Sequence, residues 1–209
     1  MPPTIFRFTQ LKYAKPFVEN GSVSFSPAAA YDDSRLTKAQ RDDEQRRRCA
    51  PDVARHQIAV ASPGGQPQPL QNLLNIKISY DIRDASGDYL RYHILCCSLC
   101  DDRQLYADFS ADCCITIQNT AEFDRRLEIA LRAKLPEWDG LSRRVAYFSP
   151  DAVIPPPLKT LDLVFMKDTS YASQQEFRYV LISPLDQAHN NRVTLELGSL
   201  KDICSIALK

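Results

Sequence analysis

The chain has no surplus of charge of either sign: 26 Lys and Arg face 26 Asp and Glu, for a formal net charge of zero. A general nucleic-acid coat needs excess cations to displace counterions, so this balance argues against one and leaves room only for a local basic patch. No apolar run approaches the roughly 20 residues that a membrane-spanning helix needs. Met1-Pro2-Pro3-Thr4 offers neither a basic n-region nor an apolar h-region, so no secretory leader is expected, and the chain reads as cytoplasmic. Glycine is scarce, with six in all, and none falls into a P-loop or a dinucleotide-binding pattern. His56, His93 and His189 are scattered, and none sits beside a nucleophile and an acid that would complete a triad. No internal repeat is visible.

What is present reads as an ordinary globular chain. A length of 209 residues suits one domain over 1–209. A domain of that size removes about 70% of its unfolded surface from water, which is enough for a core without staples. Seven cysteines, Cys49, Cys96, Cys97, Cys100, Cys113, Cys114 and Cys204, lie mostly in apolar strand patterns. Neighbours in a strand point to opposite faces, so Cys96–Cys97 and Cys113–Cys114 are poor disulfide partners, and free thiols are expected. Cys97 and Cys100 form one C-x-x-C, but no second pair or spaced histidine completes a zinc site.

Hydrophobic periodicity predicts short strands over 4–8 and 23–26, with a helix over 11–20 ended by Gly21. A polar helix is expected over 34–48, with Asp42, Asp43 and Glu44 pairing Arg46, Arg47 and Arg48 on a solvated face. Residues 50–72, around Pro63-Gly64-Gly65, read as a flexible loop. Alternation predicts strands over 74–80 and 89–99, joined as a hairpin through Ala85-Ser86-Gly87-Asp88. A strand over 111–118 precedes a helix opened by Asn119-Thr120-Ala121-Glu122, with Phe123, Leu127, Leu131 and Leu135 on one side and Pro136 as its stop. Further strands are expected over 145–149, 161–167, 174–182, 192–197 and 203–208, with Pro155-Pro156-Pro157 as a stiff connector. The fold class is α+β: mainly antiparallel sheets with N-terminal helices packed on them.

Three places could hold chemistry. Over 174–180, strand alternation turns Phe177 and Tyr179 one way and Gln174, Glu176 and Arg178 the other. The polar row is either a site wall or a solvent-facing strand with its own Arg–Glu pair. Ser98 ends an apolar strand and either meets a ligand or satisfies a turn. Arg7, between Phe6 and Phe8, is either a phosphate clamp or an edge-strand cation. Asp32-Asp33 and Asp42-Asp43-Glu44 could serve a metal-dependent nuclease, although adjacent carboxylates on a helix point about 100° apart.

The layout of Phe6-Arg7-Phe8, 21–26 with Tyr31-Asp32-Asp33, Cys96-Cys97-Ser98, Tyr106-Ala107-Asp108 and 167–178 resembles an uncharacterised bacterial family linked to abortive phage infection. The order Arg7, Ser98, Gln174-Gln175-Glu176 is similar to the Arg, Ser, Gln/Glu-x-Glu motif of ADP-ribosyltransferases. That resemblance implies a split-sheet α+β fold with NAD, used as substrate, in a central cleft. Arg7 would hold the NAD phosphates, and Ser98 would support the nicotinamide-ribose pocket. Tyr106 and Arg178 would be further cofactor contacts. Glu176 would bind the ribose 2′-hydroxyl and stabilise an oxocarbenium-like transition state, while Gln174 would orient the acceptor. The implied activity is transfer of ADP-ribose to a protein or nucleic acid, as a toxin or phage-defence effector with an antitoxin or defence partner. A non-catalytic nucleotide- or protein-binding module is the alternative. The Ser-Thr-Ser run usual in such enzymes is absent, leaving only Cys97-Ser98-Leu99.

Overall fold

The structure is a computed structural model, described here for residues 3–37, 39–51, 59–60, 65–66, 68–69, 76–153, 159–184 and 191–209. Its strands are β1 (Ile5–Thr9), β2 (Ser22–Pro27), β3 (Arg46–Cys49), β4 (Ala59–Val60), β5 (Gln68–Pro69), β6 (Ile78–Asp81), β7 (Tyr92–Ser98), β8 (Cys113–Ile117), β9 (Asp139–Arg144), β10 (Ala146–Phe148), β11 (Met166–Asp168), β12 (Glu176–Ile182), β13 (Val193–Glu196) and β14 (Cys204–Leu208). Its helices are α1 (Leu11–Asn20), α2 (Gln104–Asp108), α3 (Thr120–Lys134) and α4 (Thr160–Val164). The class is α+β with mostly antiparallel pairing. No helix among the described residues is long and apolar enough to cross a membrane.

The main sheet runs β13-β2-β7-β1-β8-β14, with β12 on the other edge of β7 and β9 beyond it. Strand β7 is the hub. It pairs with β12 over its whole length, from Glu176↔Ser98 to Ile182↔Tyr92. That register puts Leu95 and Cys97 on one face with Tyr179 and Leu181. These pack under α1 and α3, against Phe17, Phe123, Leu131 and Trp138. The other face carries Tyr92, Ile94 and Val180, which meet Ile82, Leu163, Val164 and Phe165. Both faces are therefore covered, which explains why β7 reads as a nearly continuous apolar run.

Local signals account for the element ends. The Asn119 side chain accepts a hydrogen bond from the Glu122 amide at 3.1 Å and opens α3. Gly21 closes α1 at φ +71°, a left-handed conformation in which a Cβ is strained. All seven cysteines are free.

Several expectations need correction. Residues 34–48 do not form a polar helix; the described ones are turns leading into β3. Arg47 is buried there, and its Nη2 donates to Glu44 at 2.7 Å. The expected pairing of Asp42, Asp43 and Glu44 with Arg46, Arg47 and Arg48 does form, but across a turn rather than along a helix face, and Glu44 also meets the distant Arg178. Residues 161–167 are not one strand: Asp162 accepts from the Lys159 amide and starts α4, and only then does β11 follow. Strands β6 and β7 are not hairpin partners, because β6 pairs with β3. The turn at 84–88 is closed instead by an isolated Arg83↔Tyr89 bridge. The Pro155-Pro156-Pro157 connector, His56, His189 and most of the 50–72 loop lie outside the described residues.

Replacing Gly21 by Ala tests the α1–β2 corner, because a Cβ there would lie 1.9 Å from the Gly198 carbonyl oxygen. Left-handed strain alone costs about 1–2 kcal/mol. With the clash added, Gly21→Ala is expected to lose about 2 kcal/mol or more in urea denaturation.

Candidate functional site

The sheet has a fork. On the edge of β7 opposite β12, β2 covers Ile94 and His93, and β1 meets β7 only at Phe6↔Ser98. Among the described residues, no strand pairs with Leu95, Cys96 or Cys97 on that edge. A buried carbonyl there needs another donor. Arg7 supplies it: Nη1 donates to the Cys96 carbonyl at 2.8 Å. Phe6 and Phe8 pack on Ala111 and Phe109, and alternation turns Arg7 the opposite way, into the fork.

A cavity of about 510 Å³ opens at this fork. Arg7, Cys96, Ser98, Lys167, Gln174 and Glu176 all line it. Phe6, Phe8, Tyr13, Tyr31 and Phe109 add aromatic wall, and residues 35–37 with Ala39 and Gln40 form its outer side. That outer segment is held by polar ties. Thr37 Oγ1 donates to the Asp108 carbonyl at 2.7 Å, and Gln40 Nε2 donates to the Phe109 carbonyl at 2.9 Å.

Charge on the wall is one-sided. Arg7, Arg35, Lys167 and Arg192 line the cavity, against Glu176 as its one carboxylate among the described residues. Arg35 is paired to Asp33 at 2.5 Å and Lys167 to Glu176 at 3.0 Å. Arg7 has no carboxylate within ion-pair distance among the described residues; it donates to the Cys96 carbonyl and hydrogen-bonds the Cys97 thiol. A guanidinium has five N–H donors, so those not turned to Cys96 and Cys97 are left for a ligand.

Beneath the floor lies a buried charge cluster: Glu44, Glu176 and Asp42 against Arg47, Lys167 and Arg178. Arg178 is fully buried. Its Nε donates to Glu176 at 2.6 Å, Nη1 to Glu44 at 2.7 Å and to the Val164 carbonyl at 2.6 Å, and Nη2 to Glu44 at 2.7 Å. Burial pushes the Glu176 carboxyl up, but Arg178 and then Lys167 outweigh it and hold the group well below the usual carboxylate range. Burial likewise raises Glu44, and Arg178 and Arg47 bring it down to about 2. Asp42 goes the other way, to about 7, because burial and the nearby Glu44 outweigh Arg47.

The residues singled out from the sequence divide accordingly. Arg7, Ser98, Gln174 and Glu176 reach one cavity, although they lie far apart along the chain. Two expected cofactor contacts do not. Tyr106 packs edge-on against Phe8, with ring centroids 5.0 Å apart, and is not among the lining residues. Arg178 is also off the wall, and its donors are spent on Glu44, Glu176 and Val164. Ser98 is held by its turn: Oγ lies 2.8 Å from the Gln174 carbonyl and accepts from the Cys100 amide at 3.1 Å. Gln174 ends a 3-10 turn rather than sitting in β12, and its amide bridges Lys167 and the Ala39 carbonyl.

Compared with known family models, curated proteins and solved structures, the chain matches none. The chemistry must therefore be read from the cavity alone. None of its described lining residues is a histidine. Glu176 is held ionised, with both oxygens engaged by Lys167 and Arg178. The wall can bind anions and present a fixed negative charge, but it offers no group poised for proton exchange near neutrality. Among the described residues, no group of three or more His, Cys, Asp or Glu could hold a metal ion. The early acids are paired instead: Asp33 with Arg35, Asp32 with Arg41, Asp43 with Arg48. Sequence reasoning missed Glu44 and Lys167 as parts of the site; only the i,i+3 spacing of Glu44 and Arg47 hinted at a local pair.

Two outcomes are expected. Arg178→Met removes the cation shared by Glu44 and Glu176, leaving each buried carboxylate with one cationic partner, Arg47 and Lys167, and should cost about 3–5 kcal/mol in chemical denaturation. The added cost of Glu44→Gln in that background should be smaller than in the native protein, because the two share one network. For Asp42 the folded carboxyl titrates above its unfolded value, so its contribution to stability is full below about pH 4 and is lost as pH rises towards about 7. Asp42→Asn should flatten that part of the stability–pH curve, measured as urea midpoints at unit steps of pH.

Proposed function

We propose that the cavity at the sheet fork binds a phosphate-bearing nucleotide, with NAD as the leading ligand. The observation that carries this reading is Arg7: a part-buried guanidinium on the cavity wall, with no carboxylate partner among the described residues and with donors beyond those turned to Cys96 and Cys97. A chain of zero net charge that gathers four cations and one carboxylate around a single hollow favours an anionic occupant. The aromatic side chains on the same wall suit a base or nicotinamide ring. The volume falls within the range of small-molecule sites, about 300–1,000 Å³.

A second reading is ADP-ribosyl transfer from NAD to a protein or nucleic-acid acceptor, in the toxin or phage-defence setting that the motif resemblance implies. It is favoured by the presence of Glu176 in the lining of the same cavity as Arg7. Departure of nicotinamide through an oxocarbenium-like state needs a fixed negative charge and no proton transfer, which is what an ionised Glu176 supplies. Against it stands the compensation of that charge by Lys167 and Arg178, which weakens the field at the cavity. The geometry therefore supports binding first and transfer second.

Titration calorimetry with NAD separates the two when combined with an assay for released nicotinamide. NAD should bind, and Arg7→Met should weaken it about 10- to 100-fold, the worth of one charged hydrogen-bonded contact, while circular dichroism shows the variant still folded despite the lost cap on the Cys96 carbonyl. Nicotinamide release that disappears in Glu176→Gln, with the ADP-ribosyl group recovered on a macromolecular acceptor rather than as free ADP-ribose, supports the transfer reading. Binding without release leaves a nucleotide-binding module, and no binding to native protein removes both.

A further inference from the structure

Lys167 is a cation on this wall that lies outside the Arg, Ser, Gln/Glu-x-Glu motif. It sits on β11, whose parallel pairing with β10 sets Lys167 opposite Tyr147. Its side chain is 5% exposed, yet it lines the cavity. The Nζ donates to Glu176 Oε2 at 3.0 Å and to Gln174 Oε1 at 3.2 Å. The Gln174 amide is fixed in that orientation, because its Nε2 donates to the Ala39 carbonyl at 2.8 Å. An ammonium has three N–H donors, so one remains. The Tyr171 ring lies 4.5 Å from Nζ, a contact made through the ring face that takes no hydrogen bond.

Glu176, by contrast, is closed off. Its Oε1 is held by Arg178 and its Oε2 by Lys167. A ligand arriving at the floor therefore meets a spare donor on Lys167 more readily than a free carboxylate. At the other pole, Arg7 is anchored at the Cys96 carbonyl. Lys167 is anchored at Glu176, the cross-strand partner of Ser98. Two residues along a strand and one strand across separate the Cα atoms of Cys96 and Glu176 by on the order of 8 Å. Donors carried by two different strands in this way suit acceptors on two groups of one ligand, the two phosphates of a diphosphate or a phosphate and its sugar.

Building on the nucleotide reading, we infer that Lys167 is a ligand-recognition residue and that the cavity takes its ligand at two points: phosphate at Arg7 and a second acceptor oxygen at Lys167. The occupant is then a nucleoside diphosphate derivative rather than a nucleoside monophosphate.

ADP-ribose and AMP are the probes, titrated calorimetrically into native protein, Lys167→Met and Lys167→Arg. Native protein should prefer ADP-ribose, and Lys167→Met should weaken ADP-ribose about tenfold while moving AMP less than about twofold. Lys167→Arg, which keeps the charge, should recover part of that loss. Equal ADP-ribose affinity in native and Lys167→Met protein overturns the role of Lys167 and leaves the nucleotide reading standing. Failure of both probes to bind native protein overturns the nucleotide reading, and this inference with it. If Lys167→Met does not fold, native protein with ¹⁵Nζ-labelled lysine gives the same decision. The protected signal of the buried ammonium should shift with ADP-ribose and stay in place with AMP, and a signal unmoved by saturating ADP-ribose sinks the proposal.

Discussion

A single buried guanidinium organises this molecule. Arg178 has no exposure, so every one of its donors must find a protein acceptor or the charge is intolerable there. Satisfying it ties together parts of the chain that are distant in sequence: Glu176 at the head of β12, Glu44 in the segment before β3, and the Val164 carbonyl at the end of α4. Glu44 in turn holds Arg47, and Glu176 holds Lys167. The cluster is a costly way to fill a core, since each charge gives up its hydration and only mutual pairing offsets that. What it supplies is position: the acids and cations can satisfy one another in few arrangements.

The cavity follows from that anchoring together with the fork in the sheet. With β12 and its polar row fixed, β7 has one edge fully paired and one edge shared between β1 and β2. Strands β1 and β2 both run antiparallel to β7 and are joined through α1, β1 meeting β7 at Ser98 and β2 at Ile94 and His93. The gap they leave exposes a backbone carbonyl, and Arg7 caps it. An arginine that caps a backbone carbonyl, touches a thiol and meets no carboxylate keeps donors for a ligand, whereas Arg178, with carboxylates on several sides, does not. The same residue type thus has opposite roles a few ångströms of sheet apart, and the number of carboxylates within reach decides which.

The polar row of β12 shows how far alternation carries. Period two correctly turns Phe177 and Tyr179 into the core under α1 and α3, and turns Glu176 and Arg178 the other way. It says nothing about whether that other way is solvent. Here it is a second interior, covered by α4 and β11 and by the segment before β3, and those covers come from distant sequence. Residues 34–48 failed as a helix for the same reason. Their charges look self-sufficient at helical spacing, but Arg47 and Glu44 are taken up by long-range partners, and that demand overrides local propensity.

Short-range physics was legible in the letters. The Gly21 stop, the Asn119 cap, the amphipathic face of α3 and the strand alternation around β7 and β12 depend on neighbours within a few residues, so the sequence determined them. It also named four residues that come to share one cavity. Which of those keep a free functional group was settled only by tertiary structure. Ser98 and Gln174 are engaged by their turns, Arg178 is locked by carboxylates, Tyr106 is absorbed into aromatic packing, and Lys167 enters unannounced. Hydrogen-bond capacity is spent on whatever lies within about three ångströms, and in a sheet assembled from both ends of the chain those neighbours are set by strand order, which no local pattern encodes.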